Sequence, residues 1–146
     1  MKVSTRGRYG LRALVDLAVN AGEDPVSLVQ VATRQNISLN YLEQVFGTLR
    51  KAGIVISIKG AGGGYKLAKL ATEITVKDVL EALEGEFAII DRVPNSSQDG
   101  VQKVIEKLVW NEIDRKVNQF LEKKTISMLA KEYQAGLEQE NCMYYI

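Results

Sequence analysis

The chain has 146 residues, with 19 Lys and Arg against 18 Asp and Glu, no histidine and one cysteine. Without histidine there is no imidazole base, no Ser–His or Cys–His dyad and no His-bound zinc. One cysteine, Cys142, excludes an intrachain disulfide and any thiolate cluster for zinc or iron–sulfur within one chain. The expectation is one ordinary domain, or a small domain with an appendage, that binds rather than catalyses. The longest apolar runs, such as Gly53 to Ile58, fall far short of a membrane span, and the N-terminus lacks a signal-peptide core. A cytoplasmic protein is expected.

The near-zero net charge hides two unlike halves. Residues 1–70 carry ten basic and four acidic side chains, a net of +6, whereas residues 71–146 carry nine and fourteen, a net of −5. A basic half joined to an acidic one points to a polyanion-facing module and a module with another task.

In chain order, Thr5 to Asn20 reads as a first helix, with Tyr9, Leu11, Leu14, Val15, Ala18 and Val19 at helical spacing and Ser4 or Thr5 as cap. The stretch AGEDP then marks a turn. A second helix runs from a Ser27 cap to Gln35, with Leu28, Val31 and Ala32 inward. After the link Asn36-Ile37, Ser38 caps a third helix ending near Ala52, where Gly53 supplies the stop. Its apolar stripe is Leu39, Leu42, Val45, Phe46 and Leu49.

The period then shortens. Val55 to Ile58 and Tyr65 to Leu67 read as strands joined by the glycine-rich tip KGAGGG. Thr75 caps a short helix, Val76 to Glu84, with Val79, Leu80 and Leu83 facing in. A linker follows, then a long helix from about Asp99 to Lys123 and a shorter one from a Thr125 cap to Tyr133, with Gly136 ending regular structure.

This order predicts a mainly α fold: a winged helix-turn-helix domain over residues 1–85, with a small β-hairpin as the wing. A linker (86–98), dimerisation helices (99–135) and a C-terminal tail (136–146) complete the chain. The third helix would enter a major groove of double-stranded DNA, presenting Ser38, Asn40, Tyr41, Glu43, Gln44 and Thr48. Asn40 and Gln44 can pair bidentately with adenine, Glu43 can accept from cytosine, and Ser38 with the helix N-terminus suits a phosphate. Lys59, with Gly60, Gly62 and Gly63 beside it, would approach the backbone or minor groove, and Arg6 and Arg50 add cations. Lys66 and Lys69 flank the tip. A nucleotide-phosphate loop is the weaker reading, because no Gly-Lys-Ser/Thr follows and the loop joins two strands.

The long helix speaks of assembly. Val101, Val104, Ile105, Leu108, Val109, Ile113, Val117, Phe120 and Leu121 form a broad stripe on a rod of roughly 37 Å. So small a domain cannot cover all of it, and a second copy is the simplest partner. Trp110, Ile126, Met128 and Leu129 would complete that interface. A homodimer carries two reading heads to a palindromic operator.

The stretches STRGRYGLRAL, ISLNYLEQVFGTLRKAGIV and KGAGGGYKL resemble the winged-helix regulators that include IscR, NsrR and CymR, the Rrf-two family. The resemblance is dense over residues 1–85 and continues to about residue 133. It implies a homodimeric transcription factor, usually a repressor, with the reading helix and wing at the residues named above. Iron–sulfur members of the family carry three cysteines between the short helix and the long one. The corresponding FAIIDRVPNSSQDGVQK has none, so neither cofactor nor metal is expected. The final residues resemble the tail of the family's cysteine-metabolism repressors, which pair with cysteine synthase (O-acetylserine thiol-lyase). Tyr144, Tyr145 and Ile146, with a free carboxylate, would form the anchor on that enzyme. The competing readings are a regulator of another regulon answering a redox or small-molecule signal, and a winged-helix adaptor that uses the same helix on protein.

Overall fold

The computed structural model describes residues 2–91 and 99–144. Helices α1 (Thr5–Asn20), α2 (Leu28–Gln35) and α3 (Leu39–Lys51) precede strands β1 (Val55–Ile58) and β2 (Gly64–Leu67). Helix α4 (Val76–Glu84) follows. Then come α5 (Gly100–Ile105), a π-helical segment (Glu106–Trp110), α6 (Asn111–Lys123) and α7 (Ile126–Tyr144). The fold is the mainly helical winged helix-turn-helix with a small hairpin and long helices. No helix among the described residues is long and apolar enough to cross a membrane.

Local chemistry sets the helix starts. The hydroxyls of Ser4, Ser27, Ser38 and Thr75 accept from the backbone N–H of Gly7, Val29, Tyr41 and Asp78 respectively. Asp78 returns a bond from the Thr75 N–H, closing a capping box. Each such cap is worth about 1 kcal/mol. Asn36 ends α2 at φ 53°, a left-handed conformation that asparagine tolerates, and so turns the chain sharply into α3.

The strands pair antiparallel with Val55 opposite Leu67 and Ile58 opposite Gly64. Val26, just ahead of α2, exchanges both backbone hydrogen bonds with Tyr65 (2.8 and 2.9 Å) and ties the wing to the helix-turn-helix. The core gathers Leu14 and Leu17 of α1, Val31 of α2 and Leu42, Val45, Phe46 and Leu49 of α3. Val55, Ile74, Val79 and Ile126 close it. Leu39, expected in the apolar stripe of α3, is exposed instead, as the first residue of the helix on the groove beside the wing.

α5, the π-helical segment and α6 run on as one rod, with helical dihedrals at both junctions. No residue of the rod is buried. Val101, Ile105, Leu108 and Phe120 are exposed, while Ile113 and Val117 are half-buried. Val117 and Leu121 share a small apolar cavity of about 100 Å³ with Leu80 and Phe87, so this end of the stripe packs inside the chain.

α7 departs from expectation twice. Ile126 is fully buried in the core, which takes it out of any interface between copies, and Leu129 is half-buried and packs on that core. The cause is a bridge between Thr75 and Thr125, with the Ile126 N–H on the Ile74 carbonyl at 2.9 Å, which turns α7 back onto α1. The helix also passes through Gly136 to Tyr144. An exposed helical glycine costs only about 1 kcal/mol, and the strong helix formers around it outweigh that. Of the tail residues, Tyr144 is the last of α7, and Tyr145 and Ile146 lie outside the described residues, as do residues 92–98 of the linker.

Candidate nucleic-acid interface

Burying Leu42, Val45, Phe46 and Leu49 fixes the rotation of α3, and the opposite face carries Asn40, Glu43 and Gln44 to solvent. Asn40 and Gln44 are one turn apart on that face. Ser38 is exposed at the helix N-terminus, where unpaired N–H groups and the helix dipole favour an anion. Arg50 is exposed in the last turn.

Two predicted readers are less free than their neighbours. Tyr41 is half-buried, packs on the core and meets Tyr9 edge-on with ring centroids 6.1 Å apart. Thr48 is also half-buried: its hydroxyl donates to the Gln44 carbonyl (3.2 Å) and accepts from the guanidinium of Arg6. Arg6 therefore clips the start of α1 to α3 while remaining exposed.

The wing stands beside α3. A groove of about 400 Å³ brings Leu39 and Glu43 together with Gly63, Gly64 and Val29. Lys59 is exposed at the base of the hairpin tip. Lys66, in contrast, is half-buried, and its ammonium donates to the Glu23 carbonyl, which removes it from the set of free cations. The glycines have a structural cause of their own. Gly60 and Gly62 sit at φ 103° and 79°, and a Cβ on Gly64 would lie 2.3 Å from the Val26 carbonyl oxygen. The hairpin needs them before any ligand does.

Beneath the reading head lies a polar network that composition and periodicity did not reveal. Asp16, 3% exposed, receives both Arg34 Nη2 (2.7 Å) and Arg34 Nε (3.0 Å), together with Gln35 Nε2 (2.8 Å). Arg12 Nε donates to Gln35 Oε1 at 2.8 Å. The bond to Asp16 holds the Arg34 guanidinium charged more firmly than usual, against the opposing effect of burial. The network fixes the C-terminal turn of α2 immediately ahead of the link to α3. An Asp at helical spacing with apolar neighbours was the available signal.

Residues 3–132 match the family described as Rrf2, iron-dependent transcriptional regulator. The chain belongs to the Rrf2 family. This Rrf2 chain is 39% identical to the transcriptional regulator CymR of Bacillus subtilis strain 168 over 146 residues, the whole of both chains. The solved structure of CymR (YrzC), described as the global cysteine regulator of B. subtilis, superposes with a TM-score of 0.78 at 36% identity. That likeness covers 90% of this chain and 98% of the other. IscR of T. potens gives 0.74 at 39% identity, covering 91% and 88%. The family is one of transcriptional regulators, not of enzymes.

Iron dependence of this chain would require a set of iron ligands among its own residues. Among the described residues no three His, Cys, Asp or Glu side chains group as metal ligands. The chain's one thiol, Cys142, is exposed near the end of α7, and residues 92–98 contain no Cys, His or acid. These residues do not fit an iron–sulfur cluster, whose irons take thiolate or imidazole ligands.

Proposed function

We propose that this protein is a homodimeric repressor of cysteine and sulfur metabolism genes that reads a palindromic operator without an iron–sulfur cluster. The observation that carries the reading is the match with B. subtilis CymR, which covers the whole of both chains at 39% identity. The basic N-terminal half and the exposed face of α3 supply the means of binding DNA. Asn40, Glu43 and Gln44 read base edges, Ser38 and the α3 N-terminus take a phosphate, and Lys59, Arg6 and Arg50 hold the backbone.

These roles separate by experiment. Gln44→Ala is expected to cost about 1–3 kcal/mol on the preferred operator and to relax base preference at one position. Lys59→Ala is expected to weaken all duplexes alike and to lower the slope of log K against log salt by about one. Fluorescence anisotropy on matched and scrambled duplexes at several salt concentrations distinguishes them. A uniform loss for Gln44→Ala would remove it from the base readers.

In the same proposal, Tyr144, Tyr145 and Ile146 form an anchor that docks on cysteine synthase. Deleting the three residues should abolish capture of that enzyme while leaving DNA binding and the dimer intact. The check is a pull-down with purified cysteine synthase, and undiminished capture by the truncated protein would refute the tail's role.

A further inference from the structure

A second concave site lies away from the reading face, where α7 crosses the C-terminal end of α2 and the middle of α1. It has a volume of about 500 Å³, within the range of small-molecule pockets. Part of its lining is apolar, from Leu11, Val15 and Leu129. The rest is polar, from Arg12, Arg34, Gln35, Tyr133 and the buried Asp16.

The hydrogen bonds decide what charge this site offers. Asp16 is saturated: its two oxygens accept from Arg34, Gln35 and Asn20 and have no lone pair left for a ligand. The donors are not saturated. Among the described residues Arg12 is bonded only through Nε, and Arg34 only through Nε and Nη2, which leaves both nitrogens at the end of Arg12 and Nη1 of Arg34 without a partner there. Arg34 is held in place by Asp16 yet its side chain is 39% exposed, which presents a fixed guanidinium edge at low cost in entropy. The site is thus a preorganised anion receptor with a partly apolar lining.

We propose that this pocket binds a small carboxylate with an apolar body, held by Arg12 and Arg34 and lying against Leu11, Val15 and Leu129. Guanidinium edges match a planar carboxylate bidentately. An amino-acid zwitterion is disfavoured, because its ammonium would find no free acceptor at Asp16. An occupant also pulls on Gln35 through Arg12, one residue before the turn that aims α3, so DNA affinity depends on occupancy.

Benzoate is the probe, titrated into the purified full-length protein and followed by calorimetry and by the arginine Nε–H resonances. Saturable binding is expected to shift the signals of both Arg12 and Arg34. Arg12→Gln, an exposed change that leaves the core untouched, should weaken binding roughly tenfold or more, the loss of one charge-assisted bond. Serine at equal concentration should bind far more weakly. At constant ionic strength, saturating benzoate should change duplex affinity severalfold in the parent and not in Arg12→Gln. No benzoate binding, equal binding by Arg12→Gln, or unchanged duplex affinity would overturn the proposal. Inorganic phosphate binding as tightly as benzoate, with both displaced by duplex DNA, would also overturn it and make the site a backbone clamp. None of the binding readouts requires the protein to control cysteine genes.

Discussion

Replacing Phe46 with alanine is expected to destabilise the protein by about 3–5 kcal/mol, the range for truncating a fully buried aromatic. The Phe46 side chain is wholly buried on α3 and meets Tyr65 of β2 at 5.1 Å between ring centroids, with planes at 68°. It joins the reading helix to the wing, so the cavity left behind opens at the contact that aligns the two. A domain holds only about 5–15 kcal/mol in total, and a midpoint fall of roughly 10 °C or more should follow. Denaturant or thermal melts followed by circular dichroism measure it. A loss below about 1 kcal/mol would mean that Phe46 is not packed as described.

Introducing a charge at Leu108 is expected to separate the two reading heads. Leu108 is 65% exposed on a rod without one buried residue, close to Val101, Val104 and Ile105, which are exposed as well. If the exposed stripe of the rod is the face between copies, Leu108→Asp places in it an unpaired carboxylate that costs several kcal/mol to desolvate. Because the side chain is mostly exposed in the single chain, the fold should persist. Light scattering should then report a monomer at micromolar concentration. Affinity for a two-half-site duplex should fall roughly 100-fold or more, the advantage that linking two binding modules confers. A variant that remains dimeric would move the interface elsewhere on the chain.

Much of this molecule could be read from the chain because local signals and packing agree. Ser4, Ser27, Ser38 and Thr75 announce four helix starts, and the apolar spacing of Leu42, Val45, Phe46 and Leu49 names the face that docks. The α4 bounds, Val76 to Glu84, followed from the Thr75 cap and the inward spacing of Val79, Leu80 and Leu83. What was not legible depends on contacts between distant residues. Ile126 looks like an interface residue on its own helix, and only the backbone bridge through Thr75 and Thr125 turns it into the core. The π-helical segment breaks no propensity rule and leaves no sequence mark. Gly136 resembles a stop, yet a stop needs a capping geometry as well as a glycine.

The candidate interface shows the same division. The exposed set Asn40, Glu43 and Gln44 follows from helical period alone. Tyr41 and Lys66 do not, since their partners Tyr9 and the Glu23 carbonyl lie over thirty residues away. The glycines of the wing carried a functional argument that the structure weakens. Backbone conformation at Gly60 and Gly62, and the approach of Val26 to Gly64, already require them. Lys59 and the +6 half of the chain therefore bear more of the case for DNA than the glycines do.

The charge asymmetry, the orientation of α3 and the uncovered rod converge on one claim: two copies of this chain place two basic heads on a symmetric duplex. Incubating the purified protein with genomic fragments at physiological salt and sequencing what is retained tests it most directly. Enrichment of an inverted repeat, with half-sites one helical turn or a multiple of it apart, is the predicted result. Retention of fragments without any shared, symmetric sequence would contradict it.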